Sequence, residues 1–279
     1  MITINLFDSN FAHSKSQDGF DSSSMGRKPT KIKYIRNLSE FDGVTVFTDE
    51  HMFSENVLKV KSKYKVGWCQ ESPGIKPWVY QQIQQYENRF DYILTFHPDL
   101  LKKNPDKYKV MYISSSRVKD EDWKIHPKIK QVSMIASDKR FAPGHVLRHN
   151  LVQRLQGVDF WGSGYKRFNN KLDPLKDYMF SVAIMNYKID NYWTEVLTDC
   201  FALGTVPIYW GTPNIGQFFN LDGMILFDTI DDFAKIKLNR DEYYKRKDAM
   251  KDNLERAKKF NSTDDILADQ LKKIFGDKI

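Results

Sequence analysis

Residues 176–215, KDYMFSVAIMNYKIDNYWTEVLTDCFALGTVPIYWGTPNI, constrain the fold more than any other stretch of the chain. Phe180–Met185 reads as a buried strand, and a polar, aromatic loop follows it, ending in Trp193-Thr194-Glu195. A helix over 195–203 stops at Gly204, Val206–Tyr209 reads as a second strand, and a Gly-Thr-Pro-Asn turn closes the segment. This is a strand–helix–strand crossover with a hydroxyl and a carboxylate at the helix start. In open parallel sheets, ligands sit at the loops leaving the carboxyl ends of strands. A helix N-terminus placed there offers N–H groups to a phosphate or a sugar hydroxyl. The loop carries Asn186, Tyr187, Tyr192, Thr194 and Glu195, more polar and aromatic chemistry than a connection requires.

The rest of the chain repeats that alternation. In the first half, Ile2–Phe7, Gly43–Thr48, Lys65–Gln70, Asp91–Phe96 and Val110–Ile113 read as strands, and Trp78–Phe90 as a helix. Residues 11–30 read as a long polar loop. The stretch from Ser114 to Lys130 is polar, contains proline and suits an interdomain linker. In the second half, Gln131–Ala136, Val158–Trp161 and Met224–Phe227 read as further strands, and His145–Gln156, Arg240–Phe260 and Thr263–Phe275 as helices. Two such runs imply two α/β domains, expected over 1–122 and 123–279, with parallel sheets facing across a cleft.

Composition narrows the class. At 279 residues, with 41% hydrophobic and 14% aromatic side chains, the chain can bury one large core or two smaller ones. Its two cysteines, Cys69 and Cys200, lie far apart in strand- or helix-like sequence. They suit buried thiols in a reducing compartment better than a disulfide or a zinc site. No apolar stretch reaches the ~20 residues of a membrane span. MITINLFDSN lacks a basic leader pattern and reads as a first strand. A cytoplasmic protein is the expectation. The net charge of +7 comes without any nucleic-acid motif, so a lysine-rich surface, a phosphate-rich small ligand or an acidic membrane surface accounts for it.

The motifs in 176–215 also carry a resemblance. The series Tyr178-x-Phe180-Ser181-x-Ala183, Asn186, Tyr192-x-Thr194-Glu195, Ala202-x-Gly204-Thr205-x-Pro207-x-Tyr209-x-Gly211 and Pro213-x-Ile215 resembles the signature of the α1,3/4-fucosyltransferase family. That resemblance implies a GT-B fold of two Rossmann-like domains and an inverting glycosyltransferase that takes fucose from GDP-fucose to a glycan hydroxyl. Animal members of the family are membrane-anchored, whereas this chain resembles their soluble part, as in a bacterial or viral protein acting in a host cytoplasm. Met179, Met185 and Val196 depart from the pattern, which has Lys, Glu and Lys at those places. Two of the lost groups are cations that could meet a diphosphate. A different donor, such as UDP-xylose, therefore stays open, and so does a non-catalytic nucleotide- or glycan-binding protein.

The resemblance extends to candidate site residues. The segment Ser137–Leu155 is similar to the family's donor-binding segment, which implies that the Arg148 guanidinium meets the diphosphate, with Ser137 beside it. An exposed helical arginine is the bland alternative. Glu195 matches the family carboxylate that binds ribose or sugar hydroxyls, with Asn186, Tyr192 and Thr194 beside it on the donor side. Thr194 could equally be a helix N-cap, and Glu195 a charge stabilised by the helix dipole. In the first half, Gly67-x-x-x-Glu71-Ser72-Pro73 resembles the segment whose Glu is the general base on the acceptor hydroxyl. A carboxylate at a strand's carboxyl end, beside Trp68, suits that role, because an apolar neighbour raises its pKa toward working pH. Glu71 could also simply open a turn, and Asp49, Glu50, His51 and His97, on neighbouring strand ends, are rival candidates for the base.

No cofactor or metal is expected. The one Asp-x-Asp triplet, Asp120-Glu121-Asp122, follows no strand, unlike the metal-binding triplet of a GT-A enzyme. The partners implied are a GDP- or UDP-linked donor and an oligosaccharide or glycoprotein acceptor, with no nucleic acid and no transmembrane segment.

Overall fold

The structure is a computed structural model describing residues 1–9 and 27–279. The strands, in chain order, are β1 (Ile2–Phe7), β2 (Ile32–Arg36), β3 (Glu40–Thr48), β4 (Lys61–Trp68), β5 (Tyr92–Thr95), β6 (Tyr108–Val110), β7 (Lys130–Ile135), β8 (Asp159–Trp161), β9 (Tyr178–Ile184), β10 (Val206–Trp210) and β11 (Ile225–Leu226). The helices are α1 (Asn56–Lys59), α2 (Pro77–Tyr86), α3 (Pro98–Lys103), α4 (Pro143–Val152), α5 (Glu195–Ala202), α6 (Ile230–Ala234), α7 (Arg240–Lys245), α8 (Lys247–Ala257) and α9 (Thr263–Phe275). The chain divides into two units, Met1–Ile113 with Ser262–Ile279, and Ser114–Asn261.

In the first unit the strands lie in the order β2-β1-β3-β4-β5-β6, every pair parallel. Side chains alternate across this sheet, as strand geometry requires. Leu6, Val46 and Leu94 point to one layer, where Leu267, Ala268, Leu271 and Phe275 of α9 cover them. Their neighbours Phe7, Phe47 and Ile93 point to the other, against Val79 and Ile83 of α2 and Leu100 of α3. Each fully buried leucine contributes about 1.5–3 kcal/mol. Polar bonds fix α9 as well. The buried Tyr34 hydroxyl donates to Asp264 over 2.7 Å, and Asp265 accepts from the Thr30 and Lys31 main-chain N–H groups at 2.9 and 2.8 Å. The C-terminal helix therefore belongs with the first unit, as expected of a last helix that crosses back, and the second unit ends at Asn261 and not at residue 279.

The second unit has the order β11-β10-β9-β7-β8, again with every pair parallel. Its central strand β9 is buried along its whole length. Counted from the first strand of each unit, the two sheets begin with the same order: the second strand lies on one side of the first and the third on the other. Both therefore have a switch point between their first and third strands, the place where open α/β sheets receive ligands.

The stretch from residue 114, read from sequence as a connector, packs into the second unit. Ser114 Oγ donates to the Phe260 carbonyl at 3.0 Å, and Ser116 N to the Asn261 carbonyl at 3.0 Å. Lys128, 8% exposed, donates to the carbonyls of Lys176 and Leu203 and to Thr205 Oγ1 over 2.8, 2.8 and 2.9 Å. The division consequently falls after Ile113 and not after residue 122. The helix expected over 240–260 is two, α7 and α8, with a break at Arg246. Among the described residues no helix is long and apolar enough to cross a membrane. The expected loop over 11–30 lies, up to residue 26, outside the described residues.

Candidate functional site

At the switch point of the second unit, α4 follows β7 and α5 follows β9. Backbone crowds backbone there. A Cβ on Gly144 would stand 1.8 Å from the Met185 carbonyl oxygen, and one on Gly162 2.0 Å from that of Ala136, at a φ of +118°. Glycine is the residue that permits such approaches. The Gly144 N–H donates to the Asn186 carbonyl at 3.0 Å, tying the start of α4 to the loop leaving β9.

That loop is held along its length. Trp193 is fully buried against Phe218, Phe219 and Phe260, with ring centroids 4.4, 5.9 and 5.1 Å away. Asn214, from the Gly-Thr-Pro-Asn turn, accepts the Asn191 N–H at 2.9 Å and returns its amide to Asn191 Oδ1 at 2.9 Å. Thr212 donates its hydroxyl to the Tyr192 carbonyl.

The donor-side residues named from sequence gather around this frame. Ser137 is half-buried on the loop leaving β7, and Asn186 meets α4 through its carbonyl. Arg148 lies midway along α4, whose first residue is Pro143 and not His145. Its Nε donates to the Ile184 carbonyl at 3.1 Å, and Nη2 bonds the same oxygen. Burial pushes this guanidinium down to about 10, while Glu195 and Tyr192 act against that shift. Thr194 is the N-cap of α5, accepting the Val196 N–H at 3.5 Å, as the bland reading of that residue has it. Glu195 is the first residue of α5. Burial raises its pKa, but Arg117 and Lys171, together with main-chain and Thr194 hydrogen bonds, bring it below the ordinary carboxylate value.

The first unit presents Glu71 on the loop between β4 and α2. Both main-chain groups of Glu71 are taken by side chains. Its N–H lies 3.4 and 3.3 Å from the two carboxylate oxygens of Asp49, and its carbonyl accepts the Tyr80 hydroxyl at 2.5 Å. Asp49 is fully buried, accepts the Gln70 N–H at 2.8 Å and pairs with Lys76 at 3.2 Å. Its φ of 40° is left-handed, a strain of about 1–3 kcal/mol that persists where surrounding contacts over-determine it. Asp49, weighed from sequence as a base, is thus engaged in shaping the Glu71 loop. Glu50 pairs with Lys76; burial raises its pKa, but hydrogen bonds from Lys76, the main chain and Ser9 together with the Lys76 charge bring it below the ordinary carboxylate value. His51 Nε2 stands 3.0 Å from Ser9 Oγ. The His97 ring lies 5.1 Å from that of Tyr80; burial lowers its pKa, with Asp99 opposing.

No family model matches the chain. It is 37% identical over 51 residues to the α-(1,3)-fucosyltransferase FucT of Helicobacter pylori, a stretch that is 18% of this chain and 11% of that protein. Among solved structures, an α1,3-fucosyltransferase with GDP superposes at a TM-score of 0.56 and 19% identity, over 97% of this chain and 89% of that one. An α1,3-fucosyltransferase with GDP-fucose gives 0.55 and 19%, over 98% and 89%. An α-glucosyltransferase in complex with UDP and a DNA 13-mer gives 0.55 and 12%, over 98% of both chains. The fold is GT-B, that of the α1,3-fucosyltransferases.

Three charged residues of this GT-B chain went unread in the sequence. Arg117 pairs with Glu195, Nη2 to Oε1, at 3.2 Å. Lys171, 8% exposed, pairs at 3.4 Å with Asp199, which is fully buried on α5. Burial raises the Asp199 pKa; Lys171 pulls against it, and the neighbouring Glu195 adds to it. A buried lysine and a buried aspartate are the signal that burial prediction could have raised, since such charges persist only when paired. Among the described residues no group of three or more His, Cys, Asp and Glu side chains could hold a metal ion, and Asp120–Asp122 forms a 3-10 turn.

Proposed function

We propose that this chain is an inverting, metal-independent glycosyltransferase that moves a sugar from a nucleotide donor to a hydroxyl of an oligosaccharide or glycoprotein. GDP-fucose is the leading donor and a UDP-linked sugar the alternative. One observation carries the reading: Arg148, Tyr192 and Glu195 converge at the switch point of the second unit, in a fold whose solved examples include enzymes with GDP and GDP-fucose. Arg148 is the cation for the diphosphate, with Ser137 beside it; Glu195 accepts ribose or sugar hydroxyls, with Asn186, Tyr192 and Thr194 lining the same loop. Glu71 is the base. It takes the acceptor proton as that oxygen attacks the anomeric carbon, and the nucleoside diphosphate leaves with the bonding electrons. Base catalysis of this kind supplies about 10²–10⁴-fold in rate. Cys69 and Cys200, free and buried, suit a cytoplasmic setting.

The test is a thermal-shift titration with GDP and UDP, followed by a turnover screen across nucleotide sugars with and without EDTA. A specific nucleotide at 100 times its Kd should stabilise the protein by about 2.7 kcal/mol. Activity that EDTA abolishes and Mn²⁺ restores overturns the metal-free chemistry. Binding of a nucleotide without transfer or slow hydrolysis of any donor replaces the enzyme by a binding protein.

A further inference from the structure

The segment just before the second unit's first strand is bonded to α5 with unusual thoroughness. Asp199 Oδ1 accepts both the Ser116 hydroxyl at 2.8 Å and the Arg117 N–H at 2.9 Å. One residue earlier on the helix, Thr198 donates its hydroxyl to the Ser115 carbonyl. These bonds fix the main chain of 115–117 against α5. The Arg117 side chain then runs one helical turn back and meets Glu195 Oε1 at 3.2 Å. Glu195 and Asp199 stand four residues apart, on one face of the helix, where two carboxylates repel. Lys171 answers the second of them at 3.4 Å and Arg117 the first.

The two ends of this chain of contacts differ in exposure. Asp199 is fully buried, while the Arg117 and Glu195 side chains are 34% and 18% exposed. The anchored end is structural and the open end presents a carboxylate. Arg148 also acts on Glu195, but its hydrogen bonds go to the Ile184 carbonyl. Arg117 makes the direct contact.

We infer that Arg117 is a positioning residue for the sugar-nucleotide donor: fixed by Asp199 through its main chain, it sets the orientation and the negative charge of Glu195. The inference rests on the proposed role of Glu195 in donor binding and adds to it a residue from outside the strand–helix–strand segment. Removal of the guanidinium leaves Glu195 free to turn and easier to protonate, so donor binding weakens without any lost contact to the donor itself.

The experiment compares Arg117→Ala, Arg117→Lys, Glu195→Gln and the double variant Arg117→Ala/Glu195→Gln. GDP-fucose is the probe, with UDP-xylose in parallel, and thermal unfolding is the folding control. Arg117→Ala should raise the donor KM by about 10- to 100-fold, the range of a charge-assisted contact, and by more than it lowers kcat. Arg117→Lys should recover part of that loss, since it keeps the charge and loses the fork. The acid limb of the KM–pH profile should move to higher pH in Arg117→Ala, a change that mere loosening of structure does not give. In the Glu195→Gln background, Arg117→Ala should add about twofold or less, because coupled residues are not additive. Additive effects overturn the inference by assigning Arg117 its own contact with the donor. A Glu195→Gln that raises KM beside an Arg117→Ala that does not overturns the inference alone. A Glu195→Gln that leaves donor binding intact removes the proposed donor role of Glu195 and the inference with it. Should Arg117→Ala fail to fold, Arg117→Gln and Arg117→Lys carry the same comparison.

Discussion

At the scale of single residues, His145 reports on the field at the switch point of the second unit. Its ring is 5% exposed, and Nδ1 accepts the Ala142 N–H at 3.3 Å, which requires that nitrogen unprotonated. Burial first, then the charges of Arg148 and Lys139 and the neighbouring His149, push its pKa down from 6.5 to about 4. As the folded value lies below the unfolded one, the unfolded chain takes up the proton first as pH falls. Stability therefore drops as pH goes from about 6.5 to about 4 and is fully present above that window. His145→Gln should flatten this part of the curve of Tm against pH; an unchanged slope would assign it to other groups. The same field bears on function. A diphosphate near Arg148 cancels part of the positive potential, so the His145 pKa followed by NMR should rise on adding GDP or UDP. A value that does not move with saturating nucleotide counts against an anion at this place.

At the scale of elements, the fit of α4 against the loop leaving β9 sets the crevice. Gly144→Ala puts a methyl 1.8 Å from the Met185 carbonyl oxygen, a backbone atom that cannot swing aside. The helix start must move, and the bond from Gly144 N to Asn186 goes with it. The expected cost is about 1–3 kcal/mol, as for other overpacked sites, together with weaker nucleotide binding. Val146→Ala, at an exposed position of the same helix, should stay within about 0.5 kcal/mol. Equal thermal shifts for the two variants would sink this account. Much at this scale was legible in the sequence. Ile2–Phe7 and Thr263–Phe275 match β1 and α9 to the residue, and the crossover β9–α5–β10 lies within two residues at each end, because buried runs with clear caps declare themselves locally. β2 was missed, since its IKYIR alternates lysine and arginine with apolar residues at a sheet edge. The break after Ile113 was missed for a different reason. Ser116 and Arg117 meet Asp199 across 83 and 82 positions of sequence, and nothing local marks a serine or an arginine for such a partner. Distance in sequence likewise hid the pairing of Arg117 with Glu195, and Lys171 lies before the strand–helix–strand segment, whereas Tyr192, Thr194 and Glu195 are consecutive or nearly so and were named together.

At the scale of the whole molecule, one strand order recurs in both units. Each unit opens its sheet between its first and third strands, but the side chains gathered at the carboxyl ends differ in kind. The second unit sets Arg117 beside Glu195 and Lys171 beside Asp199, with Arg148 acting on Glu195, a cationic setting that suits the proposed donor. The first unit instead holds the main chain of Glu71 by Asp49 and Tyr80, which fixes where its carboxylate is rooted. A fixed acceptor of protons is what attack by a hydroxyl needs, and proton transfer matters only in the transition state. Glu71→Gln keeps the size and hydrogen-bonding reach of the side chain and removes its basicity. Turnover should fall by about 10²–10⁴-fold, while the Kd for GDP or UDP stays within about twofold. Glu195→Gln should give the reverse pattern, a weaker donor before a slower step. Should Glu71→Gln retain the wild-type kcat, the base is another group of the first unit, and His97, neutral through burial, is the next to replace.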